Sequence, residues 1–107
     1  MDEIREQIKE NIFNQGYIFL IFNNYYDTDI GRPYCDFMCA CLNEETVDSF
    51  IEYNTNMISE FEIPPDFEII KINITIDFEY YEPKQSKSNI NKTIVNLDDI
   101  LDLLYTN

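Results

Sequence analysis

Residues 17–24 read YIFLIFNN, and this run decides how the chain folds. It opens with six consecutive aromatic or aliphatic side chains, more than one-sided burial requires, yet the run is too short for a buried helix. It is read as a strand that is apolar on both faces and belongs near the centre of a sheet.

The flanks supply the partners of that strand. Upstream, over residues 2–14, Ile4, Ile8 and Ile12 recur every four positions while Glu3, Glu6, Lys9 and Glu10 turn outward. That is the pattern of an amphipathic helix, and Gly16 is placed to end it. Downstream, residues 25–33 contain Asp27, Asp29, Gly31 and Pro33 and predict an exposed loop. Residues 34–42 (YCDFMCACL) predict a second strand, antiparallel to the first.

Asn43 is a suitable N-cap for the next helix, in which Val47, Phe50, Ile51, Asn54, Ile58 and Phe61 keep helical spacing. Pro64 and Pro65 close that helix. From 67 to 81 strict alternation sets Ile70, Ile72, Ile74, Ile76, Phe78 and Tyr80 against Lys71, Asn73, Thr75, Asp77 and Glu79. A strand with one wet face has this pattern. Residues 82–91 lack periodicity, 92–96 predict a short fourth strand, and Asn96 can cap a last helix carrying Leu97, Ile100, Leu101 and Leu104.

The order α-β-β-α-β-β-α over residues 1–107 implies one α+β domain. Its expected form is a four-stranded antiparallel sheet with helices mainly on one face. There is no internal repeat, and 107 residues provide one core.

Charge narrows the function classes. Twenty-one Asp and Glu face 7 Lys and Arg with no His, giving a formal net charge of -14. A nucleic-acid binder needs Lys and Arg to neutralise phosphates, so direct DNA or RNA binding is disfavoured, as is an anionic membrane surface. The complementary partner is a basic protein. No stretch is apolar for the ~18 residues of a membrane-spanning helix and the N-terminus is polar, which predicts a cytoplasmic protein. The abundance of Ile, Asn, Lys and Tyr fits an AT-rich coding genome, as in low-GC bacteria and their phages.

Catalytic and metal motifs are scarce. Cys35, Cys39 and Cys41 form C-x3-C-x-C, which on a regular strand places all three on one face with Phe37. Zinc wants four ligands, and no His exists to complete a set or to serve a thiol as base. The cysteines are therefore read as small buried hydrophobes, with no metal, cofactor or catalytic residue expected. Asp27, Asp29 and Gly31 resemble a fragment of a calcium loop, but the twelfth position holds Met38, so a solvated turn is the better reading. Two glycines do not make a phosphate-binding loop.

Acidity, in contrast, is concentrated. Between Glu44 and Glu82 eleven acids face the single cation Lys71, a local net charge of -10 (eleven less one), while Lys84, Lys87 and Lys92 gather in one loop. Glu44, Asp48 and Glu52 recur every four residues, spacing carboxylates about 6 Å apart on a helix, near the separation of every second phosphate of a DNA strand.

The expected partner-binding residues are Glu44, Glu45, Asp48, Glu52, Asp77 and Glu79, with Tyr25, Tyr26 and Tyr53 as uncharged anchors. The expected role is inhibition of a basic, nucleic-acid-handling protein by nucleic-acid mimicry, by analogy with phage anti-CRISPR and anti-restriction proteins. Two alternatives stand beside it. One is an immunity protein or antitoxin against a basic nuclease toxin; the other is a non-inhibitory adaptor docking through the C-terminal LDDILDLL helix.

Overall fold

The structure is a computed structural model that describes residues 2–29, 31–56, 66–75, 78, 80–81 and 95–105. Helix α1 (Asp2–Gln15) leads into strand β1 (Tyr17–Asp27) through Gly16, whose φ of 86° lies in the left-handed region. Gly16 N–H donates to the Ile12 carbonyl at 2.9 Å, and its own carbonyl accepts from Ile74 N–H at 3.0 Å. The residue that ends the helix thus also starts the sheet.

Strand β1 pairs antiparallel with β2 (Arg32–Cys41) on one side and with β3 (Asp66–Asn73) on the other, giving the order β2-β1-β3. The central position expected from YIFLIFNN is observed, and both faces of the run are covered. Ile18, Leu20 and Phe22 are fully buried in one cluster with Ile8, Ile12 and Phe13 of α1 and with Ile100 of α3 (Leu97–Asp102). Phe19 and Ile21 face the opposite way, into a second cluster with Val47 and Phe50 of α2 (Glu44–Asn56). Burial of each such side chain is worth about 1.5–3 kcal/mol, so alternate residues of one strand hold helices on both faces.

The domain is therefore α+β with a three-stranded antiparallel sheet. Two of the three helices, α1 and α3, share one face, in keeping with helices mainly on one face, while α2 covers the other. The expectation for the third strand changes: β3 ends at Asn73, and Phe78 N–H donates to the Thr75 carbonyl at 2.9 Å. Beyond it, β4 (Tyr80–Tyr81) pairs antiparallel with β5 (Val95–Asn96) as a separate two-stranded ladder rather than as the fourth strand of the sheet. The predicted alternation holds where it is described: Ile72 and Ile74 are buried, while Lys71, Asn73 and Thr75 are exposed. Ile76, Asp77 and Glu79 lie outside the described residues, as do Ile58, Phe61, the two prolines at 64 and 65 and residues 82–94.

The loop expected at 25–33 contracts to residues 28–31, because Tyr25, Tyr26 and Asp27 pair with Tyr34, Pro33 and Arg32. Aromatic residues favour the pleated ladder, and Pro33 is tolerated because β2 is an edge strand. The caps behave as read from the sequence. Asn43 Oδ1 accepts from Thr46 N–H at 2.8 Å, and Asn96 forms a reciprocal capping box with Asp99. After α3 the chain runs alongside β2, with Ala40 N–H donating to the Leu103 carbonyl and Tyr105 N–H to the Ala40 carbonyl. No described helix is long and apolar enough to cross a membrane.

Candidate protein-binding surface

Helix α2 carries the main candidate residues. Its seat is firm: Val47 and Phe50 are buried, and the Phe50 ring meets Phe67 at 5.5 Å and Tyr105 at 5.3 Å between centroids, both edge-on. At about 100° per residue, these contacts fix which way the rest of the helix points. Glu44, Glu45, Asp48 and Glu52 are all exposed, and no salt bridge among the described residues engages them. Glu44 and Glu45 lie in the first turn, where the helix dipole favours negative charge. Asp48 gains little from the dipole and has a carboxylate one turn away on each side, at about 0.2–0.5 kcal/mol of repulsion per pair.

Tyr53 is 57% exposed and lies roughly 140° around the helix from Asp48, on the other flank. Tyr25 and Tyr26 are consecutive positions of β1, paired with Tyr34 and Pro33 of β2. Asp77 and Glu79 lie outside the described residues. The part of the candidate site that the fold brings together is the acidic row of α2.

Lys71, the cation within the acidic stretch, sits with Nζ 4.2 Å from the centroid of the Tyr17 ring and 5.9 Å from that of Phe19. Its position in β3 is on the α2 side, because it pairs with Phe19. The positive charge is thus held against aromatic faces rather than reaching the carboxylates of α2.

The C-terminal helix is committed inward. Ile100 is fully buried, and Leu101 and Leu104 pack against the same cluster; only Leu103, at 45%, is exposed. Arg5 of α1 donates to Asp102 at 2.7 Å and, more weakly, to Asp98 at 3.5 Å, bridging α1 and α3. Sequence reasoning did not single out Arg5, and pairs separated by 93 and 97 residues leave no local signal. Asn24 was likewise missed: it is buried and donates from Nδ2 to Glu68 Oε1 at 3.0 Å, tying β1 to β3.

The cysteines divide. The β1–β2 register shifts between Ile21 and Phe22, which pair with Cys39 and Phe37, leaving Met38 as the extra residue of a bulge. Cys35 therefore joins the cluster under α1 and α3, whereas Cys39 and Cys41 join the cluster under α2. The shared face expected from C-x3-C-x-C is corrected by this one inserted residue. Burial, with Glu68 and Asp36 nearby, pushes the Cys35 thiol up to about 11. Interaction with Cys41, with burial adding to it, pushes the Cys39 thiol up, and interaction with Cys39 lowers Cys41. No group of three or more His, Cys, Asp and Glu among the described residues is arranged to hold a metal. Asp27 pairs with Arg32 at the end of the β1–β2 ladder.

These features define an acidic α+β domain in which one firmly seated helix, α2, carries a row of exposed carboxylates. Comparison with protein-family models, curated proteins and solved structures finds no match to this chain.

Proposed function

We propose that this protein is a stoichiometric inhibitor that occupies the cationic groove of a nucleic-acid-handling protein, with α2 standing in for a phosphate backbone. The observation that supports this reading is the exposed row Glu44, Asp48 and Glu52, unpaired among the described residues and carried by a helix that Val47 and Phe50 hold in place. A formal net charge of -14 adds long-range attraction, so association is fast at low salt and slows as salt screens it. The site of action is the cytoplasm, where such effectors work and free thiols persist. An immunity protein against a basic nuclease toxin uses the same physics with a different partner.

The experiment assays inhibition of an RNA-guided nuclease, a restriction endonuclease and a basic nuclease toxin by the wild-type protein and by E44K/D48K/E52K. Selective inhibition of one of the first two, lost by at least tenfold in the triple variant with a flattened salt dependence, supports the proposal. Inhibition of the toxin alone selects the immunity role. Unchanged inhibition by the triple variant would sink the acidic-row model.

The adaptor alternative is less well supported, because Ile100, Leu101 and Leu104 of that segment pack in the protein's own core.

A further inference from the structure

Strand β3 (Asp66–Asn73) is paired on one side only: among the described residues the sheet ends with it, in the order β2-β1-β3. The register fixes which backbone groups face outward. Ile74 N–H donates to the Gly16 carbonyl at 3.0 Å, one step before the Tyr17–Asn73 pair. Hydrogen-bonded pairs alternate along an antiparallel ladder, so Ile72, Ile70 and Glu68 turn their N–H and C=O groups toward β1, while Lys71, Ile69 and Phe67 turn theirs away from it. Nothing covers the middle of that edge, since Ile69 is 43% exposed and Lys71 and Asn73 are exposed.

Edges of this kind are commonly guarded by a charged side chain, above all a lysine, that an incoming strand cannot bury. The lysine of β3 is drawn off its edge. Lys71 Nζ lies 4.2 Å from the centroid of the Tyr17 ring, on β1 and so on the inner side of β3. What remains is an open row of donors and acceptors beside an exposed apolar side chain. A second copy of the chain is a poor occupant, because each copy brings a formal net charge of -14. A basic strand is complementary: alternate residues set an apolar side chain against Ile69 and a Lys or Arg against Glu68, which lies on the other face of the sheet.

We propose that the outer edge of β3 receives an extended basic segment of the partner protein by strand addition. Backbone hydrogen bonds at Phe67, Ile69 and Lys71 supply affinity, and alternating apolar and cationic side chains supply selectivity. The basic sign of this segment is that of the partner in the proposed function, on which the assignment rests. The edge shares no residue with the acidic row of α2, so failure at either surface leaves the other standing.

The test follows amide hydrogen exchange by NMR in the whole chain, with a nine-residue peptide of alternating lysine and valine as the probe. In the free protein the Ile69 and Lys71 amides are expected to exchange at least tenfold faster than those of Ile70 and Ile72. The peptide should slow Ile69 and Lys71 at least tenfold. A fully N-methylated copy and a glutamate–valine copy should do neither. Ile69→Pro removes an outward N–H and no bond to β1, and should weaken peptide binding at least tenfold; the methylated peptide makes the same test without altering the fold. Any of four results overturns the proposal: outward amides already protected in the free monomer, protection that appears only as the chain dimerises, no slowing by the lysine–valine peptide, or equal binding of the methylated or glutamate copy.

Discussion

Gly16 has no side chain for its surroundings to hold, since an added Cβ would meet nothing within 4 Å, yet its φ of 86° is one that L residues avoid. Gly16→Ala is therefore expected to destabilise the domain by about 1–2 kcal/mol through backbone strain alone. Matched urea melts of wild type and variant measure it, and an unchanged midpoint would show that the turn relaxes. Cys35 gives a pH signature at the same scale. Its folded-state pKa is raised from 9.0 to about 11, so the buried thiol favours the native state below pH 9, and that contribution is lost as pH rises through 11. The fall in stability between pH 9 and 11 should be shallower in C35A than in the wild type, as read from denaturant midpoints at each pH. Both residues show how far local reading goes. Gly after an amphipathic run marks a helix end on its own, but the environment of Cys35 depends on Glu68, thirty-three positions away on another strand.

At the scale of elements, α2 separates stability from binding. Asp48→Lys replaces two repulsive i, i+4 contacts, with Glu44 and Glu52, by attractive ones, and is expected to raise stability by about 1 kcal/mol. If the acidic row is the binding surface, the same variant loses affinity for the partner. A gain in thermal midpoint together with weaker binding is the expected pair of results, and stronger binding would count against the row. Helix α3 behaves differently. Ile100 is fully buried, and the residues just after α3 hydrogen-bond the edge of β2 at Ala40. Removing residues 97–107 should abolish cooperative unfolding as followed by far-UV circular dichroism, whereas a merely attached docking helix would leave it intact. Helix caps, helix existence and the two long strands were legible in the sequence because their causes are local: capping side chains, periodicity and β-branched or aromatic runs. The end of β3 at Asn73 was not legible, since the alternation of apolar and polar residues continues unbroken past it.

Over the whole molecule, charge acts on folding and on binding in opposite directions. With 21 acids and 7 bases, repulsion opposes the compact state and also attracts a basic partner. Raising salt from about 0.02 to 0.3 M shortens the screening length to well under 10 Å. The thermal midpoint should rise with this change while partner affinity falls; a midpoint that declines with salt would mean that Arg5–Asp102 and similar attractions outweigh the repulsion. Only part of the candidate site was legible at this scale. The acidic row was, because i, i+4 spacing places residues on one helix face wherever the helix packs. The flank on which Tyr53 lies was not, since it depends on which side of α2 the core takes.

The run YIFLIFNN by itself determined that a strand apolar on both faces lies at the centre of the sheet, because no one-sided arrangement buries six consecutive apolar residues. The formal net charge of -14 is likewise a property of the sequence alone, because it depends on composition and not on fold. Tertiary structure alone decided that the helices cover both faces, that Cys39 and Cys41 are parted from Cys35, and that α3 is closed against the core. The reason is the same in each case. One inserted residue reverses strand parity, and the face that a helix covers is set by which side of the sheet still has apolar area to bury; neither is a property of any window of the chain.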